Sequence, residues 1–96
     1  MVPLIVFCIK YRVTGFVLEG RVQIFWDENK EADLKGYFLY SGTDVNRLKK
    51  SSSSITITRY VDESVVPDQT YYYQISAVDQ VGNEGSKSEQ VRVTVE

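Results

Sequence analysis

The sequence predicts an all-β fold in which two antiparallel sheets of about seven strands pack face to face. Three observations carry this. Apolar side chains recur at every second residue in several separate runs. Turn-forming residues stand between those runs. Seven tyrosines against a single methionine suit pleated, half-buried surfaces.

The elements follow in order. The first strand is expected somewhere in residues 4–18. Val2 to Ile9 is apolar and interrupted only by Pro3, so residues 1–12 read as an atypical first strand or a linker remnant. That run is too short to span a bilayer, which takes about 20 residues, and it lacks the basic start of a signal peptide. Glu19-Gly20 turns the chain into a second strand, where Val22, Ile24 and Trp26 alternate with Gln23 and Phe25. Asp27-Glu28-Asn29-Lys30 ends it. In the third strand Tyr37 and Leu39 alternate with Phe38 and Tyr40, and Ser41-Gly42 closes it. Thr43 to Lys50 is too short for a stable helix and reads as a capped turn and a short crossing strand. Ser51 to Ser54 reads as a mobile loop or strand edge. Ile55 and Ile57 alternate with Thr56 and Thr58 as the next strand. Pro67-Asp68 introduces a run in which Tyr71, Tyr73, Ile75 and Ala77 alternate with Tyr72, Gln74 and Ser76. Gly82-Asn83-Glu84-Gly85 turns the chain again, and Val91, Val93 and Val95 alternate with Arg92 and Thr94.

Ninety-six residues form a single domain over 1–96, large enough to fold without metal or disulfide. The net charge of −2 comes from interspersed acids and bases, with no basic stripe of the kind that binds nucleic acid. The lone Cys8 cannot form an internal disulfide and reads as a small strand hydrophobe. No histidine is present, which removes the usual general base and the commonest zinc ligand. No glycine-rich loop opens a helix to hold phosphate. A domain of this size offers no cleft for a pair of carboxylates to work on a sugar. The sequence therefore points to no catalytic residue, no cofactor and no membrane span.

Four segments taken together resemble a fibronectin type III domain of the bacterial or archaeal extracellular type, over roughly residues 13–96. Gly20-Arg21-Val22-Gln23-Ile24-Phe25-Trp26 is similar to the family's second strand with its core tryptophan. Asp33-Leu34-Lys35-Gly36-Tyr37-Phe38-Leu39-Tyr40 resembles the third strand. Val65-Val66-Pro67-Asp68-Gln69-Thr70-Tyr71 is similar to the signature ahead of the sixth strand, with Val65 where leucine is usual. Ala77 to Ser86 resembles the loop between the last two strands. The resemblance implies an immunoglobulin-like sandwich with Greek-key connections, a structural core of Trp26, Tyr37, Leu39, Tyr71, Tyr73 and Ile75, and a tyrosine corner at Tyr71. The Arg-Gly-Asp tripeptide by which some members adhere to cells is replaced here by Val81-Gly82-Asn83-Glu84.

Two surfaces are candidates for function. The loops after Trp26 and Asp79 share a pole in this fold and gather Asp27, Glu28, Asn29, Glu31, Asp33, Asp79, Asn83 and Glu84. Such a pole either binds calcium or braces its own turns, and the second reading is preferred. If Tyr37 and Tyr71 point inward, then Phe38, Tyr40 and Tyr72 point outward on neighbouring strands beside Gln74 and Arg92. These five residues form a candidate partner-binding face, for protein or carbohydrate, or else pair across strands to stiffen the sheet. The expected function is a non-catalytic structural spacer or interaction module of a larger surface or secreted protein. The alternative is a ligand-binding module that uses the aromatic face. Expected partners are neighbouring domains or a protein, with carbohydrate possible.

Overall fold

A computed structural model of the chain describes residues 13–28, 33–51 and 53–95, so Cys8 and the whole of residues 1–12 lie outside the described residues. Seven strands follow in order: β1 (Val13–Leu18), β2 (Arg21–Trp26), β3 (Leu34–Gly42), β4 (Lys49–Lys50), β5 (Arg59–Asp62), β6 (Thr70–Asp79) and β7 (Val91–Thr94). They form a three-stranded sheet in the order β1-β2-β5 and a four-stranded sheet in the order β4-β3-β6-β7. Every pairing is antiparallel. Among the described residues no helix is long and apolar enough to cross a membrane.

Local chemistry sets the first hairpin. Leu18 pairs with Arg21, leaving Glu19 and Gly20 as a two-residue turn, both at positive φ (54° and 75°). This mirror-image turn matches the right-handed twist of the flanking strands. Glycine enters it freely, whereas Glu19 carries a Cβ into the left-handed region.

The expected alternation places the core. Val22, Ile24 and Trp26 from one sheet meet Tyr37, Leu39, Tyr73, Ile75, Ala77, Val93 and Val95 from the other, all buried. The Trp26 and Tyr37 rings meet edge to face across the sheets, 5.5 Å apart at 70°. The Tyr73 hydroxyl donates to Asp62 Oδ2 at 2.9 Å, a second tie between β6 and β5. Tyr71 is half-buried against the core, and its hydroxyl accepts the Val66 N–H at 2.9 Å. That bond holds the loop leading into β6. Gly15 leaves β1 room to close on β7: a Cβ there would stand 2.7 Å from Ile24 Cδ1 and 2.9 Å from Val93 Cγ2.

The passage between sheets departs from the sequence expectation. The strand expected at Ile55 to Thr58 is found at Arg59–Asp62, and Ile57 is 58% exposed. Lys49, Lys50, Ser51 and Ile55 instead pair along the edge of β3. Ser51 N–H donates to Leu39 O at 2.8 Å, and Ile55 exchanges both backbone bonds with Tyr37 at 2.7 and 2.8 Å. The chain then changes sheets, and Thr58 O accepts the Trp26 N–H at 3.0 Å. Stacked sheets lie about 10 Å apart, so a segment crossing that gap cannot keep a ladder with either one. The close approach at Ile55 requires Gly36, where a Cβ would sit 2.7 Å from Ile55 O, next to a bulge in β3.

These contacts set expectations for stability, measured by urea unfolding with circular dichroism. Gly36→Ala drives a methyl group into a backbone oxygen and is expected to cost about 1–3 kcal/mol. Glu19→Asn relieves the left-handed turn and is expected to add about 0.5–1 kcal/mol. A neutral Gly36→Ala would contradict the β3–Ile55 contact.

Candidate functional site

The register of the four-stranded sheet assembles the candidate face. Phe38 lies opposite Ser76, Tyr40 opposite Gln74 and Lys50, and Tyr72 between Gly42 and Arg92. Strand alternation turns all of these to the outer side. Phe38, Tyr72 and Gln74 are half-buried and Arg92 is exposed.

Tyr40 differs from the expectation. It points outward but is only 9% exposed. The cause is Glu84, which pairs with Val78 beside β6 and extends its carboxylate back over the sheet. Oε2 accepts from the Tyr40 hydroxyl and, at 2.5 Å, from the Ser76 hydroxyl, while Oε1 accepts from Lys50 Nζ at 2.7 Å. Lys50 Nζ also stands 4.0 Å over the Phe38 ring, and Lys87 Nζ stands 4.3 Å over the Tyr40 ring. Each ring thus carries a cation on one face, an attraction to the ring quadrupole. Gln74 Nε2 donates to Ser88 O at 3.0 Å, and Ser88 Oγ accepts the Ile75 N–H at 2.9 Å. These bonds fasten the segment after Glu84 along β6. A carboxylate, two hydroxyls, two lysines and two rings therefore lock onto one another.

This packing shifts the titrations. Burial, reinforced by the Glu84 carboxylate, pushes Tyr40 up to about 12. Burial alone would raise Glu84, but the hydrogen bonds from Lys50, Ser76 and Tyr40, with the Lys50 charge, hold it below the usual carboxylate range. Burial raises Tyr73 further still, helped by its bond to Asp62.

Within the acidic pole Asp79 braces its own turn. Asp79 Oδ1 accepts the N–H groups of Val81 and Asn83 at 3.0 and 2.8 Å, and Oδ2 accepts Asn83 Nδ2 at 3.1 Å. Gln80 N–H donates to Asp33 O at 2.9 Å, tying this turn to the start of β3. Gly82 takes the positive φ (93°) that the turn needs. Glu84, expected among the acids of this pole, serves the sheet face instead. Asn29 and Glu31 lie outside the described residues. Among the described residues no group of three or more acidic or cysteine side chains converges as a metal site.

Two further features were not singled out in the sequence. A cleft of about 250 Å³ opens between β4 and β5, lined by Leu39, Ser41, Lys49, Lys50, Ser51 and Tyr60. On the opposite sheet Phe16, Leu18, Phe25 and Val61 are exposed together on the outer face. The alternation of Phe16 and Leu18 with Gly15 and Val17 was a readable signal for half of that patch.

Comparison with known proteins places this geometry. No family model matches the chain. An amylopullulanase of Thermoanaerobacterium saccharolyticum is 36% identical over 70 residues, which are 72% of this chain and 5% of that protein. The chain thus spans about one twentieth of that relative. An Fn3-like protein from Clostridium thermocellum superposes with a TM-score of 0.73 at 22% identity, covering 88% of both chains. The FN1–FN3 domains of chicken CNTN1 superpose with a TM-score of 0.73 at 19% identity, covering 88% of this chain and 31% of that one.

The shifted groups predict opposite pH effects. The folded state binds the Glu84 proton less readily than the unfolded state, so its stabilisation is complete above the ordinary glutamate value of about 4.3 and fades as pH falls. The folded state holds the tyrosine protons more tightly, so their contribution is complete below about pH 10 and fades as pH rises toward 12. Unfolding midpoints across pH are expected to show a flatter acid limb for Glu84→Gln and a flatter alkaline limb for Tyr40→Phe. Unchanged limbs would contradict the network.

Proposed function

Because this chain carries the fibronectin type III fold, we propose that it is a non-catalytic spacer module of a larger secreted, glycan-processing protein. One observation carries the reading: among the described residues the start of β1 and the end of β7 lie at opposite poles of the sandwich. β1 starts at Val13, paired with Trp26, whose ring touches Tyr37 near the Asp79 end of β6. β7 ends at Thr94, paired with Thr70 at the opposite end of β6. From Ala77, which pairs with Tyr37, to Thr70, which pairs with Thr94, β6 advances about 23 Å, which sets the separation the module imposes on what it joins. The tie between the sheets through Asp62 and Tyr73 and the bond at Tyr71 make that separation rigid.

The relatives support this setting. A stretch like this one is a small part of an amylopullulanase, so the module is read as a companion to α-glucan chemistry performed elsewhere in such a chain. Its own surface supports a passive role. The polar groups of the Glu84 network are spent on one another, and the cleft beside β4 has two lysines, two serines and a tyrosine but no pair of carboxylates. The alternative of a sugar-stacking face loses ground, because Tyr40 is covered and Phe38 and Tyr40 each have a lysine over the ring. Localisation outside the cell, with neighbouring domains as partners, belongs to the same proposal.

Two measurements test it. Spin labels at Glu28 and Thr94, both exposed and near opposite poles, are expected to give one narrow distance distribution. A broad distribution would contradict a rigid spacer. The chain incubated with pullulan or amylopectin is expected to release no reducing ends, and turnover above buffer would overturn the proposal. Cosedimentation with insoluble starch that disappears in Phe38→Ser/Tyr72→Ser would revive the ligand-binding alternative.

A further inference from the structure

We propose that the outer face of the β1-β2-β5 sheet is a self-complementary surface that pairs reversibly with a second copy of this chain. Four large apolar side chains share this face: Phe16 (42% exposed), Leu18 (52%), Phe25 (45%) and Val61 (37%). The ladder arranges them in rows. Phe16 lies beside Gln23, which lies beside Val61. Thr14, Phe25 and Arg59 form the row on one side. Leu18 and Arg21 begin the row on the other, where Arg21 reaches Glu63 at 3.9 Å. The Phe16 and Phe25 rings join the rows edge to face, with centroids 6.0 Å apart.

The area decides what kind of partner fits. An aromatic side chain presents about 150–250 Å², so these exposures leave a patch of roughly 350 Å². Patches of about 300–600 Å² are the largest that ordinary monomers show and are often functional. Two such faces together would bury roughly 700 Å² of apolar surface, and a polar rim brings the total near the low end of specific interfaces, about 1,200 Å². That suits a weak, reversible pair.

The register supplies the charge complementarity. A two-fold axis lying in the interface, across the strands and through the Phe16–Gln23–Val61 row, sets β5 against β5 and β1 against β1. The outer rows then exchange places. Glu63 of one copy faces Arg59 of the other, Arg21 faces Phe25, and Phe16 and Val61 each meet their own counterpart. A two-fold contact makes each of these pairings twice. The Arg21–Glu63 contact within one copy is long and solvent-exposed, so little is lost when Glu63 changes partner. Arg21 over the Phe25 ring gains a cation–π attraction.

Sedimentation equilibrium of the 96-residue chain, up to about 1 mM, tests this. A concentration-dependent dimer is expected. Phe16→Ser and Phe25→Ser should each weaken the association constant about tenfold or more, with circular dichroism showing the sandwich intact. Glu63→Arg or Arg59→Glu alone should weaken it, and the two together should restore it. A monomer at every concentration overturns the proposal, as does association unmoved by the phenylalanine variants or a charge swap that fails to rescue. Should the serine variants not fold, the charge swap decides alone. The outcome is separate from the spacer reading, since the pole-to-pole distance within one copy is the same in monomer and dimer.

Discussion

The structure depends on the offset between its two sheets, and polar-tipped aromatic rings hold that offset. Apolar burial supplies most of the drive to bring the sheets together, but it is non-directional and leaves them free to slide. The edge of Trp26 against Tyr37 fixes one point of contact. The Tyr73 hydroxyl on Asp62 fixes another, and the second Asp62 oxygen is occupied by the N–H and hydroxyl of Ser64 at 3.0 and 2.6 Å. A hydrogen bond to a charged group contributes about 1.5–3 kcal/mol and an aromatic pair about 0.5–1.5 kcal/mol. These are modest energies, but they act where sliding would otherwise cost little. Once the offset is set, β1 closes on β7 through Gly15 and the Tyr71 hydroxyl reaches the Val66 N–H.

The two outer faces are built on opposite principles. On the four-stranded sheet a half-buried carboxylate organises hydroxyls, lysines and rings around itself. On the three-stranded sheet Phe16, Leu18, Phe25 and Val61 are exposed, and the face is apolar at its centre and charged at its rim. Among the described residues the buried Trp26 indole N–H has no acceptor. Burying such a donor costs about 1–3 kcal/mol, which Trp26 offsets through the apolar area of its ring.

Much of this was readable from residue order. Alternation alone assigned the inward sides of β2, β3 and β6, because a period of two leaves only two choices and Trp26, Tyr37 and Tyr73 chose the core. The Asp79 turn was readable because its donors lie within four residues. Other features were not readable, for a common reason. Ile55 to Thr58 alternates well, yet alternation is blind to which ladder a residue joins, and these residues straddle two. Glu84 meets Tyr40 across forty-four positions, a contact that only the β3–β6 register creates. The Phe16 patch likewise needed the pairing of β2 with β5 before Val61 could join it.

The placement of Val13 and Thr94 at opposite poles has a mechanical consequence. Tension applied along such a chain enters β1 and leaves β7 in opposite directions, nearly parallel to the strands. Antiparallel backbone bonds lie perpendicular to the strands, so this load shears a whole ladder at once instead of peeling it bond by bond. The six-residue pairing of β1 with β2 must then yield as a block. A link of this kind stays short under pull until it gives way abruptly.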